Sequence, residues 1–401
     1  GEFRWWQHFG NDQAASRLQR CRIRRKRILL IIVMTIVHIT TAHTPEDPRI
    51  FHKECISLRS RFNSVILIAP AITEFTHDRV KIIKIPAAKS RIGRIFFSTI
   101  RALFVAANSS ANIYHIHDPE LLLISLPLRA FGRVVYDVHE DYVTAAMQRS
   151  YLPGMIRRFM ATVISTIEKV AEFNLDIVIA ERYYRRRFSR ATQVLNYPFV
   201  VNKVETREQP QKPLLLYTGS ITKDRGALNH AGIVNMISDA RVSLYGYCEP
   251  RLVTEIYDHV RVGADRLEVV GGGVYVPHRI ILNAYNARPW LCGLAIFPRT
   301  DHYYEKELTK LFEYMAFGLP VLCSDFPVWR ALIEENGVGI CVDPNDEAAI
   351  KNAITMLLSD RRAWLNMSRR GMLLAKNRYS WESQARNLIS MYESMEKKVV
   401  I

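Results

Sequence analysis

The sequence predicts an α/β protein made of two Rossmann-like halves, each a parallel sheet covered by helices. Three observations carry that reading. At 401 residues the chain has room for two domains with substantial cores. From Met34 onward, short β-branched runs alternate with helix-period segments, the pattern of a parallel sheet covered on both faces. That alternation breaks once, over Val200 to Lys212, in a polar stretch without apolar periodicity that reads as a linker. The boundaries follow: a basic extension over 1–33, a first half over 34–200, a second over 201–379, and a terminal amphipathic helix over 380–401.

In the first half, Thr35 to Thr40 (TIVHIT) is the opening buried strand, and the loop Ala42 to Pro48 leads into a helix from Arg49 to Arg61. Ser64 to Ala69 and Val80 to Ile85 are the next strands, and Ile92 to Ala107 is a helix apolar on one face. Ile113 to Ile116 is a strand ending in His117-Asp118-Pro119-Glu120, followed by a helix from Leu121 to Phe131. Val134 to Val138 delivers His139, Glu140 and Asp141 at its carboxyl end, and Asp176 to Ala180 is the last strand of the unit. Ligands of open parallel sheets bind outside the carboxyl ends of the strands, so the loops 42–48, 117–120 and 139–142 share one rim.

The second half opens with Leu214 to Tyr217, which runs into Thr218-Gly219-Ser220 and, after Arg225-Gly226, a helix. Arg241 to Leu244, Leu267 to Val270 and Leu294 to Phe297 are further strands. The most informative stretch is Glu305 to Pro327 (EKELTKLFEYMAFGLPVLCSDFP). Leu311, Phe312, Met315 and Ala316 recur at helical spacing, so Thr309 to Phe317 is a helix, with Gly318 at its C-cap and Pro320 barring its continuation. Val321 to Cys323 suits a buried parallel strand. The start of that helix offers unpaired N–H groups and a positive dipole end to a phosphate, and Lys310 adds a full charge. Glu313, one turn on, can accept from sugar hydroxyls. Gly339 to Val342 is the last strand, with helices at Asp346 to Leu358 and Ser380 to Lys397.

Composition bounds the partners. Apolar content of 49% and charged content of 23% are those of a soluble globular protein. The formal charge of +16 favours anionic partners: phosphorylated substrates, an acidic leaflet or nucleic acid. Residues 1–27 hold eight basic residues against two acidic ones, and Arg182, Arg185, Arg186 and Arg187 form a second knot that reads as a solvated helix face. The apolar run Ile28 to Val37 is too short to span a bilayer. Residues 1–33 read either as an extension with a cloning remnant at Gly1-Glu2-Phe3 or as a basic surface anchor. Six cysteines without a C-x-x-C spacing indicate reduced thiols in a reducing compartment.

Four segments together carry a family resemblance: HTPEDPRIFHKE (43–54), YHIHDPELL (114–122) with VYDVHEDY (135–142), YTGSITKDRG (217–226) and EKELTKLFEYMAFGLPVLCSD (305–325). From Met34 to the C-terminus the chain resembles GT-B glycosyltransferases of the large retaining family called GT4 or group 1. The first three segments resemble a bacterial subgroup of exopolysaccharide, capsule and O-antigen assembly. The fourth matches the family's E-x7-E signature. The resemblance implies a GT-B fold, with the two sheets facing a cleft and the C-terminal helix crossing back to the first half. It implies sugar transfer from a nucleotide-sugar donor with retained configuration and no metal or other cofactor. It also implies a saccharide or polyprenyl-linked acceptor, and a cytoplasmic protein peripheral on the inner face of the plasma membrane.

Residue by residue, the resemblance places Glu305 near the donor sugar and Glu313 on the ribose. Arg225 pairs with the donor pyrophosphate, with Lys310 as its partner, and His139 lies near the reacting sugar. Gly219, Ser220 and Leu311 complete the donor side, although Ser220 stands where many relatives carry Arg. His43, Arg49, His117, Asp118 and Glu140 fall on the acceptor side.

Other classes fit less well. No nucleic-acid module is recognisable despite the charge, and no G-x-G-x-x-G follows the first strand, against a nicotinamide oxidoreductase. A sugar-nucleotide epimerase of GT-B fold and a non-catalytic scaffold share the two-domain build. His115, His117 and His139 invite a metal, but the expectation is none, on the argument that alternate strand positions face opposite ways.

Overall fold

The computed structural model describes residues 34–88, 90, 93–147, 152–200 and 207–399. The extension 1–33, the expected helix start at Ile92 and residues 201–206 of the expected linker lie outside the described residues.

Two sheets organise the chain. The first has eight strands in the order β3-β4-β2-β1-β5-β6-β7-β8. These are β1 (Thr35–Ile39), β2 (Ser64–Pro70), β3 (Phe75–His77), β4 (Val80–Ile85), β5 (Ile113–Ile116), β6 (Arg133–Val138), β7 (Asp176–Ile179) and β8 (Thr192–Gln193). All pairs are parallel except β3 with β4. The second sheet is wholly parallel, β11-β10-β9-β12-β13-β14. Its strands are β9 (Leu214–Thr218), β10 (Arg241–Cys248), β11 (Leu267–Gly272), β12 (Cys292–Ala295), β13 (Val321–Ser324) and β14 (Gly339–Val342). In each sheet the strand order reverses at the opening strand, β1 or β9. Such a switch point leaves a crevice beyond the carboxyl ends of the strands, where ligands bind.

Crossover connections sort the helices into layers. Helices α1 (Thr99–Ala107), α2 (Leu122–Leu128) and α3 (Gly154–Asn174) join one core of the first sheet through Ala102, Ala106, Ile124, Leu128 and Ala171. The opposite face packs the helical segment Pro48–Cys55 and Leu58 together with Trp381, Leu388, Tyr392 and Met395. Those last four belong to the terminal helix, so that helix does return to the first sheet. In the second half, α4 (Thr309–Ala316) lies between β12 and β13 in sequence, and the terminal helix is α5 (Trp381–Val399).

Local chemistry explains the elements that frame the crevice. Asp47 caps the segment Pro48–Cys55 by accepting from Arg49 N and Ile50 N at 2.9 Å, and Pro48 sits at its first position, where a missing N–H costs nothing. The segment is wound with the wider π pitch before it tightens into Ile56–Arg59, two residues short of the expected end at Arg61. Helix α4 ends as its sequence requires: Gly318 takes φ +68° and Leu319 N returns to Tyr314 O at 2.8 Å. The helix expected from Leu121 to Phe131 begins as a 3-10 turn over Pro119–Leu121 and stops at Leu128. The short strands β3 and β8 and the long helix α3 were not expected. Gly271 and Gly272 close β11 and Gly273 begins the bend after it, with positive φ at Gly271 and Gly273.

Candidate active site

A cavity of about 430 Å³ opens where the carboxyl ends of the two sheets face each other. The first half lines it with His43, Asp47, Arg49, His139 and Glu140, and the second with Thr218, Gly219, Arg225, Lys310 and Glu313. A larger cavity of about 670 Å³ lies at the amino ends of β5 to β7, around Asn112, Arg133 and Asp176. That is the sheet edge at which parallel folds do not place their ligands.

On the first half, the buried Arg49 is pinned by its fork. Nε and Nη2 donate to Asp137 at 2.8 and 2.7 Å, and Nη1 donates to Val194 O at 3.0 Å. Burial pushes the Asp137 carboxyl up, but the Arg49 charge and hydrogen bonds from Arg49, His117 and His139 outweigh it and hold it well below the usual carboxylate range. His139 turns Nδ1 to the Asp137 carbonyl at 3.3 Å, which leaves Nε2 facing His43 Nε2 at 3.2 Å. Burial alone would lower the His43 pKa. The hydrogen bond to Asp47 and the charges of Asp118, Asp47 and Glu140 overcome that and raise it to about 9. His43 is therefore an imidazolium at neutral pH, with its Nε2–H turned toward His139. Lys53, one turn along from Arg49, donates to Asn196 Oδ1 at 2.7 Å, and burial lowers it to about 8. Asn196 reaches in turn to Thr309 at the start of α4, at 3.4 Å.

On the second half, Lys310 is the decisive group. Its amine is buried, has no hydrogen-bond partner among the described residues, and sits 3.7 Å from the centre of the Tyr217 ring and 5.0 Å from Phe297. Burial pushes its pKa well below the usual lysine range and nearby Arg225 adds to the shift, against the opposing charge of Glu313. Gly219 lies against it with φ +106°, and a Cβ there would stand 3.2 Å from Lys310 Nζ. Arg225 is held by its Nε donating to the Tyr303 hydroxyl at 2.9 Å, which donates to Asp224 at 3.1 Å. Glu313 accepts from the Tyr285 hydroxyl at 2.6 Å and lies 4.0 Å from His278. Its burial raises the carboxyl, yet His278, Tyr285 and the charge of Lys53 bring it below the ordinary value. Two basic side chains, a helix start and a carboxylate held below its ordinary pKa thus share one wall.

The structure sorts the expected residues. It gathers His139, His43, Arg49 and Glu140 with Gly219, Arg225, Lys310 and Glu313 around one cavity. It leaves Glu305 outside: as the C-cap of the short helix Asp301–Tyr304, Glu305 points away and pairs with Arg186 at 2.7 Å. Glu307, two residues later, takes the place in the cavity wall and pairs with Arg182. The arginine knot is solvated, with Arg182, Arg185 and Arg186 exposed, but three of its members also hold carboxylates: Arg182 holds Glu307, Arg186 holds Glu305 and Arg187 holds Asp141. Leu311 is fully buried in the core of the second half, on the face of α4 turned away from the pocket. Ser220 is exposed and offers only its carbonyl, to the Tyr217 hydroxyl at 2.7 Å. His117 and Asp118 are buried below the rim. Asp118 fastens the loop after β1 by accepting from Thr40 Oγ1 and Thr41 N at 2.9 and 2.6 Å. Lys53, Asn196, Tyr285, His278 and Glu307 were missed. The spacing from Asp47 and Arg49 could have put Lys53 on the buried helix face; nothing local marks Tyr285 or His278.

Comparison with known proteins agrees with this arrangement. The structure aligns with sucrose-phosphate synthase from Thermosynechococcus elongatus at TM-score 0.72 and 16% identity, over 91% of this chain and all of that one. It aligns with Anabaena Alr3699/HepE, solved in complex with UDP-glucose, at TM-score 0.66 and 11% identity, over 90% and 100%. The fold is GT-B. Residues 275–395 match the family described as glycosyl transferases group 1. Phosphatidyl-myo-inositol mannosyltransferase of Mycobacterium leprae is 22% identical over 84% of this GT-B chain and 90% of its own. Sucrose-phosphate synthase 4 of Arabidopsis thaliana is 31% identical over 85 residues, and sucrose synthase of Acidithiobacillus caldus 28% over 154. The chain spans only 8% and 18% of the length of those two.

Proposed function

We propose that the protein is a glycosyltransferase that moves a sugar from a nucleoside-diphosphate sugar to a saccharide acceptor with retention of configuration. The observation that carries it is the unpaired, buried amine of Lys310 beside Arg225 at the start of α4, one turn from the locked carboxylate of Glu313. A diphosphate answers the two basic side chains and the helix end, and ribose hydroxyls answer an acceptor-only carboxylate. The group 1 match over residues 275–395 covers Lys310 and Glu313 of this wall.

In this reading the bond from the anomeric carbon to the diphosphate oxygen breaks, and negative charge grows on the leaving group. Arg225, Lys310 and the α4 dipole are already in place to oppose it, in place of a catalytic metal or other cofactor. The acceptor hydroxyl bonds to the anomeric carbon from the same face, and its proton passes to a leaving-phosphate oxygen. His139, aligned by Asp137 and His43, holds a sugar hydroxyl near that carbon.

We extend the reading to a polyprenyl-linked acceptor of bacterial surface polysaccharide, met at the anionic inner face of the plasma membrane by a cytoplasmic protein. Among the described residues no helix is long and apolar enough to cross a membrane. Helices α1, α2 and α3, one layer of the first half, instead expose Phe104, Leu126, Met155, Phe159 and Phe173. Arg101, Arg129, Arg158 and Lys169 stand exposed on or just after the same helices, a pairing suited to an acidic leaflet.

The test is a thermal-shift series with UDP, GDP, ADP, CMP and dTDP, each with and without EDTA. A ligand at 100 times its dissociation constant stabilises by about 2.7 kcal/mol. One diphosphate should raise the midpoint independently of EDTA, and Arg225→Ala and Glu313→Ala should lose the shift. No response to any nucleotide would remove the transferase reading.

A further inference from the structure

Beneath the floor of the pocket, three histidines and a glutamate converge in a space closed to solvent. His38 on β1, His115 on β5, His117 just after it and Glu54 on the segment Pro48–Cys55 are all fully buried. β1 and β5 pair with His38 opposite His115. Positions two apart on a strand share a face, so His115 and His117 stack at 4.7 Å rather than diverging, which corrects the argument from strand alternation. His38 lies 4.7 and 5.2 Å from those two rings.

Glu54 Oε2 stands 3.8 Å from His38 Nδ1, 3.8 Å from His115 Nδ1 and 3.9 Å from His117 Nε2. His38 Nδ1 and His117 Nε2 are 2.9 Å apart. Among the described residues neither oxygen of Glu54 finds a hydrogen-bond partner, nor does Nε2 of His38 or His115. The nearest cation, Arg49, approaches Glu54 Oε1 at 3.1 Å but spends its fork on Asp137. One guanidinium therefore faces two buried carboxylates, and a buried carboxylate without donors calls for a cation.

We propose that His38, Glu54, His115 and His117 bind a divalent transition-metal ion, Zn2+ by their ligand chemistry, at a structural site apart from the sugar chemistry. Tetrahedral Zn2+ with bonds of about 2.1 Å sets its donors roughly 3.4 Å apart. The observed separations of 2.9, 3.8, 3.8 and 3.9 Å bracket that edge. Three imidazoles and one carboxylate suit Zn2+, whereas Mg2+ and Ca2+ take oxygen ligands. The groups behind the ligands fit as well. Asp137 Oδ2 lies 3.2 Å from His117 Nδ1, which fixes the proton there and frees Nε2 for the ion. The Tyr392 hydroxyl, from α5, lies 2.6 Å from His115 Nδ1 and gives up that nitrogen when it takes the ion. Four protein ligands leave no open position toward the pocket, so the ion ties β1, β5 and the segment Pro48–Cys55 together under Arg49 and His139.

The test uses the full chain, purified without chelator or histidine tag, loaded with Zn2+, desalted and analysed by inductively coupled plasma mass spectrometry. The expected result is about one Zn2+ per chain. Glu54→Gln and His115→Gln, shown to be folded by circular dichroism, should keep less than roughly a tenth of that. Co2+ loaded in place of Zn2+ should give the intense visible absorption of a tetrahedral site, which reads the wild-type chain even where a variant fails to fold. Wild-type protein that desalts free of metal and shows only weak octahedral Co2+ absorption would overturn the proposal. So would folded variants that retain the full equivalent.

Discussion

At the scale of single residues, Lys310 sets how the pocket meets its ligand. Burial and nearby Arg225 push its pKa well below the usual lysine range, and an arriving diphosphate supplies the missing counter-charge. Nucleotide binding should therefore take up a proton and weaken as pH rises, which calorimetry in buffers of different ionisation heat will read. Lys310→Met should abolish the uptake and, by removing a charged hydrogen bond of about 1.5–3 kcal/mol, weaken binding roughly 10- to 150-fold. His43 has the opposite sense. Its pKa rises from 6.5 unfolded to about 9 folded, so its contribution to stability is complete below pH 6.5 and lost as pH climbs through 9. Melting curves across that window should fall in the wild type and flatten in His43→Gln.

These two residues also show what the sequence could and could not reveal. Lys310 and Glu313 were readable because a helix start followed by its C-cap glycine fixes where their side chains can go. Glu305 was misplaced, and Glu307 passed over, because the turn between the helix Asp301–Tyr304 and α4 decides which carboxylate faces inward. No local spacing encodes that turn. His117 and Asp118 were set on the rim because they follow a strand; whether such residues reach the surface depends on the loop from β1 that closes over them.

Among elements, α5 is the joint between the two ends of the chain. Its amphipathic period announced a helix, and the structure seats it on the first sheet through Trp381, Leu388, Tyr392 and Met395. Trp381 is buried and its indole N–H donates to Ser57 Oγ at 2.9 Å. Trp381→Ala leaves a cavity and an unpaired hydroxyl, at a cost of about 3–5 kcal/mol. Urea unfolding should show the midpoint moved by that amount, whereas Glu393→Ala, which breaks only the exposed pair with Arg61, should move it by less than about 1 kcal/mol. The π-wound segment Pro48–Cys55 lay beyond sequence reading. A cap and a proline mark where a helix begins, but its pitch is set by what its side chains must reach, here Arg49 to Asp137 and Lys53 to Asn196.

At the scale of the whole molecule, the division into two facing sheets was legible because strand–helix alternation needs no long-range information. The outward face of α3 was not. Met155, Phe159, Val163, Ile167 and Val170 recur every three or four residues, a period that states amphipathicity without stating which side meets water. In the structure that stripe faces solvent, and the interior takes only Ala161, Glu168 and Ala171. Exposed apolar area of this extent marks an interaction surface, and the neighbouring arginines favour an acidic leaflet. The full chain should cosediment with vesicles of mixed zwitterionic and anionic phospholipid, less with purely zwitterionic ones, and less again in high salt, which screens the charges. Burying a phenylalanine side chain contributes about 1.5–3 kcal/mol. Phe159→Asp and Phe173→Asp should each lower partitioning at least roughly tenfold on that scale, while the melting midpoint, set by the interior, stays in place. Undiminished sedimentation of the double variant would separate this face from the membrane. The pocket would then have to meet its acceptor in solution.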